Sequence, residues 1–247
     1  MDDHGGRVRG VDYGDAWTYE SIVGAIPGVT LSKSAAVAVQ LVLFEAAVLV
    51  LAAVYGLWDA AAFGTVAVAV AGVGSAVMLH VSDRIRALGA PEPYRGLLFG
   101  SRFEVVLGLL AFLVFVTHLF VYDPRQGGQP LVEALFGVDP PLAAVYLALL
   151  IGWDVCYRIG TGWWASVVAV WRSYRYRGSF TPAEANAYSR VDAWNVAFAA
   201  AQLSLVPFVG DRPVLVVALL GHVAAVTIAT GLSVLLLRSK GETLTRT

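Results

Sequence analysis

A few ionisable side chains lie inside long apolar stretches of this 247-residue chain, where a charge is costly if the stretch crosses a membrane. Glu45 stands near the centre of one stretch, and Asp154 and Arg158 stand four residues apart in another. An acid four residues before a base favours an ion pair on one helix face. We predict a buried polar cluster of Glu45, Asp154 and Arg158, in which Glu45 relays protons or cations or is a ligand for a buried group. The alternative is structural: a neutral carboxyl bonded to a neighbouring helix, and a self-neutralised pair.

Two amides extend this predicted cluster. Asn195 and Gln202 lie seven residues apart, so they share one face of a helix. Buried amides often hydrogen-bond between membrane helices. The other interpretation is a polar stripe that lines a cavity.

Two histidines suggest a different chemistry. His118 and His222 fall at similar depths in two different apolar stretches. Imidazoles that face each other can ligate a haem iron from both sides, so haem b is an alternative prediction. The other interpretation is a pair of satisfied buried histidines. No other cofactor and no metal site is predicted.

The elements that must position these residues are six apolar runs. Each has about 20 residues or more, enough for a helix to cross a hydrocarbon core. The runs are continuous rather than alternating, which excludes barrel strands. They are 34–57, 60–82, 103–122, 141–161, 190–209 and 213–237. Capping-box patterns at Ser101 to Glu104 and Thr181 to Glu184 predict helix starts near 102 and 182.

Basic residues set the predicted orientation of this all-α membrane bundle. Of the 17 Lys and Arg residues, fourteen lie in the tails and in two of the connections, against Arg125 and Arg212 on the other side. Positive residues favour the cytoplasmic side, so both termini are predicted to be cytoplasmic. We expect a cytoplasmic segment 1–32, a six-helix membrane domain 33–237 and a tail 238–247. The excess of Arg over Lys is typical of a prokaryote, and the predicted location is the plasma membrane.

Two segments are predicted to meet the membrane surface. Apolar residues recur with helical spacing in 13–26, which predicts a short amphipathic helix lying on the bilayer or packed on the bundle. Aromatic and basic residues after the fourth run predict contacts with lipid headgroups, including anionic ones. These residues are Trp163, Trp164, Arg172, Arg175 and Arg177.

Composition excludes several function classes. The chain is 58% hydrophobic with a net charge of −1, which argues against a nucleic-acid partner. The single cysteine, Cys156, allows no internal disulfide. The sequence contains no metalloprotease, serine hydrolase or P-loop signature. The leading hypothesis is a non-enzymatic, transporter-like or accessory membrane protein. The alternatives are a haem b electron-transfer subunit and a structural subunit of a larger complex, with a membrane-protein partner or a second copy.

Overall fold

The protein is helical throughout the part described. The computed structural model describes Trp17 and residues 32–239, and all regular structure in these residues is helical. The helices are α1 Lys33–Tyr55, α2 Trp58–Ala87, α3 Glu92–Arg125, α4 Leu131–Phe136, α5 Leu142–Arg175, α6 Pro182–Ala201, α7 Val206–Val209 and α8 Pro213–Arg238. Helices α1, α2, α3, α5 and α8 are long and apolar enough to span a membrane, as expected of a membrane protein.

The predicted fifth run, 190–209, is helical but is not among these five helices. Asp192, Asn195 and Gln202 interrupt its apolar stretch and lower its mean hydropathy. The helix also tightens into a 3-10 turn, Gln202–Leu205, before it resumes as α7. Six spans and the orientation of the termini therefore stay predictions.

One of the two predicted capping boxes is present. At Thr181 the predicted capping box is present, with Thr181 and Glu184 bonding each other's backbone N–H groups. The pattern at Ser101 does not form a box. Inside α3, Arg102 is the N-cap of the α-helical segment Phe103–Thr117, and it has a left-handed conformation with φ 57°.

The bundle has two chemically different ends. At the basic end lie the connections α2–α3 and α5–α6 and the end of α8, where Arg177 donates a hydrogen bond to Ser239. At the opposite end lie the turn at Gly56 and the connections on either side of α4 and after α7.

Helix α5 is the centre of the bundle and packs against α1, α2, α3, α6 and α8. It crosses α3 at two glycines. A Cβ built on Gly160 would lie 2.3 Å from the backbone N of Gly108, so the two helix backbones touch. The predicted fourth run ended at 161, whereas α5 continues to Arg175.

The predicted surface helix at 13–26 lies outside the described residues except for Trp17. That side chain is buried, and its ring packs edge-on against Phe99 with centroids 4.9 Å apart.

Candidate functional site

A cavity of about 390 Å³ lies inside the bundle, in the half next to the opposite end. Helices α2, α3, α5 and α8 wall it, the turn before α7 closes one side, and α4 covers it. Small-molecule sites typically measure roughly 300–1,000 Å³. The cavity lining holds no charged side chain among the described residues. Its size and lining suit a neutral, mostly apolar molecule.

Three polar side chains interrupt this apolar lining: His118, Gln202 and His222. Gln202 is 0% exposed, and neither its Oε1 nor its Nε2 has a hydrogen-bond partner in the described residues. Nε2 of His118, a residue 7% exposed, and Nδ1 of His222 are likewise buried without a partner. Leaving such a group unsatisfied costs roughly 1–3 kcal/mol, so each of these atoms favours a hydrogen-bond partner within the cavity, such as a bound molecule or water.

Irregular helix geometry places two of these groups. His118 opens a π-helical segment, His118–Tyr122, and Gln202 opens the 3-10 turn. Departures from α-helical geometry of this kind are frequent at functional sites. The His118 ring stacks on Tyr122 with centroids 5.3 Å apart. Across the cavity, the Trp163 ring lies 6.0 Å from that of His222.

The cavity is open on one side to the outer surface of the bundle. Val114 and Phe120 of α3 line it and are exposed, as are Val214 and Ala218 of α8. These side chains belong to apolar helices that are long enough to span a membrane. The cavity therefore opens onto the apolar outer surface of the bundle.

Helix α4 forms the roof of the cavity and is tied down by a buried ion pair. Asp123 accepts the backbone N–H of Leu131 at 2.5 Å and pairs with Arg212 at 3.1 Å. Arg212 also donates to the backbone oxygen of Gln129 at 2.6 Å. The roof is therefore linked to the end of α3 and to the connection between α7 and α8.

Replacing Arg212 by glutamine should loosen this roof. Asp123 then loses its partner, and the hydrogen bond that protects the Leu131 amide weakens. We expect faster hydrogen exchange across 126–137, measured by mass spectrometry. Arg125→Gln is the control, because Arg125 is exposed at the same end. Equal exchange in the two variants would show that Arg212 does not hold the roof.

The predicted polar cluster is divided between separate places. Asp154 and Arg158 form an ion pair on α5, and Arg158 also donates to Ser75 of α2 at 2.6 and 3.0 Å. Asn195 and Arg158 line a small cavity of about 10 Å³. Glu45 lies elsewhere, accepting a hydrogen bond from Thr65 at 2.8 Å. Gln202 belongs to the large cavity described above.

The five residues expected at lipid headgroups also differ in their surroundings. Arg175 and Arg177 are exposed at the basic end. Trp163 lines the large cavity, and Trp164 donates its indole N–H to the backbone oxygen of Leu97 at 3.0 Å. Arg172 is 0% exposed, so the headgroup expectation does not describe it.

Arg172 is instead the centre of a buried hydrogen-bond network that was not predicted from the sequence. Its guanidinium bonds both carboxylate oxygens of Asp192, at 2.7 and 3.2 Å. It lies over the rings of Tyr94 and Tyr188, 5.2 and 4.3 Å from their centroids. Ser233 donates to the same carboxylate at 2.8 Å. This network connects α3, α5, α6 and α8 at the basic end.

No cluster of three or more His, Cys, Asp or Glu side chains in the described part of the chain is placed to hold a metal ion. The two histidines considered as haem ligands do line one cavity. A haem bound there would find no Lys or Arg for its propionates among the described residues of the lining.

Comparison with known proteins identifies a family and no activity. The chain belongs to DUF7530, a family of unknown function, which matches residues 12–233. No curated protein and no solved structure matches the chain.

Proposed function

We propose that this member of DUF7530 is a non-enzymatic membrane protein that binds a neutral, lipid-soluble small molecule. The observation that carries the proposal is the large apolar cavity with four unpartnered buried polar atoms on three side chains, His118, Gln202 and His222. An open side toward the apolar surface supports entry from the bilayer. This function belongs to the transporter-like or accessory class predicted from the sequence.

The proposal includes a topology. We place six spans in the plasma membrane with both termini in the cytoplasm, supported by the concentration of arginines at the basic end. The cavity then lies in the outer half of the bilayer. Arg175 and Arg177, exposed at the basic end, support contact with anionic headgroups on the cytoplasmic side.

The hypothesis that Glu45, Asp154 and Arg158 relay protons or cations has weaker support than the binding proposal. The Asp154 carboxylate is neutralised by Arg158, which Ser75 also binds. Glu45 bonds Thr65 rather than this pair. We propose that these three residues hold helices together, which is the structural alternative considered for them.

A cavity-filling variant tests the binding proposal. Ala148 lines the cavity, so Ala148→Phe should weaken binding of the neutral fluorescent probe aminoanthracene to the detergent-purified protein. We expect at least about a tenfold loss of affinity, roughly 1.4 kcal/mol. Ala143→Phe is the matched control, because Ala143 is exposed on the same helix and does not line the cavity. Equal affinity in both variants, or no binding to the wild type, would reject the proposal.

A haem b protein is the second candidate, favoured by the position of His118 and His222 on one cavity. It is second because the described residues of the lining include no Lys or Arg to pair with the haem propionates. An absorption spectrum of the purified protein before and after dithionite decides. A Soret band that is lost in His118→Phe and His222→Phe would establish haem, and aromatic absorbance alone in protein purified with added haem would reject it.

A further inference from the structure

We infer that the cavity selects a quinone head group, an inference that rests on the proposed function. The charge of the cavity lining is the first feature that restricts the class of ligand. Among the described residues that line the cavity, none is Asp, Glu, Lys or Arg, so the charge of a fatty acid or of a phospholipid headgroup would lack a permanently charged partner there. The ligand that fits is neutral, with hydrogen-bonding atoms on an otherwise apolar body.

Three of the four unpartnered atoms in the cavity, Gln202 Nε2, His118 Nε2 and His222 Nδ1, can act as donors, whereas Gln202 Oε1 can only accept. The Gln202 side chain offers two N–H donors, and a neutral imidazole donates from one ring nitrogen. The free atoms His118 Nε2 and His222 Nδ1 belong to α3 and α8, while Gln202 belongs to the turn after α6. Donors on three elements suit a head with more than one acceptor. The two carbonyl oxygens of a quinone can accept from these donors, whereas a single hydroxyl leaves at least one donor unused. A quinone offers no donor to Gln202 Oε1, so the inference rests on the three donor atoms.

Aromatic side chains in the lining suit a flat ring. Phe63, Phe115 and Trp163 contribute rings from α2, α3 and α5. Offset or edge-on contact of such rings with a planar ligand adds stabilisation beyond simple burial. The proposed quinone ring would lie among these side chains with its carbonyl oxygens toward the amide and the imidazoles.

The open side of the cavity accounts for an alkyl or isoprenoid tail. Val114 and Phe120 on α3, and Val214 on α8, line the cavity and are exposed on the apolar surface. A tail that leaves between these helices would stay in hydrocarbon. The cavity volume of about 390 Å³ then needs to hold only the ring and the start of the tail.

Competition with the bound aminoanthracene tests the inference. In displacing the probe, decylubiquinone should show an affinity at least about tenfold higher than that of decylbenzene, which has the same tail and no carbonyl oxygens. Gln202→Leu should remove most of that difference and leave decylbenzene unchanged. It should also raise the melting temperature, because it deletes an unsatisfied buried amide. The control is Ser204→Ala, an exposed position in the same turn.

The outcomes separate the two proposals. If aminoanthracene binds and Ala148→Phe weakens it, but both decyl compounds compete equally, the quinone inference is wrong and the cavity function stands. The inference is also wrong if Gln202→Leu leaves the preference for the quinone intact. Absence of probe and quinone binding in the wild type would overturn both.

Discussion

Asp192→Asn should destabilise the protein by about 3–5 kcal/mol, the usual cost of breaking a buried ion pair. The substitution keeps the size of the side chain but leaves the Arg172 guanidinium, which is 0% exposed, without its counter-charge. Tyr94 and Tyr188 contact that guanidinium but carry no negative charge at neutral pH. Thermal unfolding in detergent micelles measures the loss.

Two variants give this prediction its controls. Asp83→Asn breaks the exposed pair with Arg86, and such pairs contribute only about 0–1 kcal/mol. The double variant Arg172→Met with Asp192→Leu removes both charges and should recover most of the lost stability. If Asp192→Asn costs no more than Asp83→Asn, the buried pair does not hold the basic end of the bundle together.

Gly160→Ala should have the second-largest effect, on stability and on ligand binding together. The new methyl group would lie 2.3 Å from the backbone N of Gly108 and 2.8 Å from the backbone O of Glu104. Backbone atoms cannot rotate away, so α3 and α5 must separate, at a cost of about 1–3 kcal/mol. Both helices wall the cavity, so we also expect weaker binding of aminoanthracene.

The matched control for this helix crossing is Gly221→Ala. A Cβ at Gly221 meets no atom within 4 Å, and alanine favours the helix by up to about 1 kcal/mol over glycine. We expect a melting temperature equal to or above that of the wild type. Similar melting temperatures for the two alanine variants would contradict the close crossing of α3 and α5.

Hydropathy predicts the long apolar helices because burial in lipid selects on composition over a whole run. It predicts their ends less well. Helix α5 continues to Arg175, beyond the predicted end at 161, and this second part buries the polar side chains Ser166, Arg172 and Ser173. A window tuned to apolar composition does not detect such a segment.

The site could be predicted only in parts. His118, Gln202 and His222 are recognisable as costly residues in apolar surroundings, but the sequence assigns them to two unrelated hypotheses. Their meeting in one cavity depends on how α3, α8 and the turn after α6 pack around α5. Arg172 shows the same limit. Its neighbours in sequence are aromatic and basic, which suggests a headgroup contact, yet its partner Asp192 lies twenty residues further on in α6.

Native mass spectrometry of the protein, released from gentle detergent, tests the central claim that the cavity holds a neutral lipid-soluble molecule. We predict that the wild type and Ala143→Phe retain such a molecule from the membrane, and that Ala148→Phe loses it. Retention of the same molecule by Ala148→Phe, or a wild type that carries none even after incubation with decylubiquinone, would contradict the account.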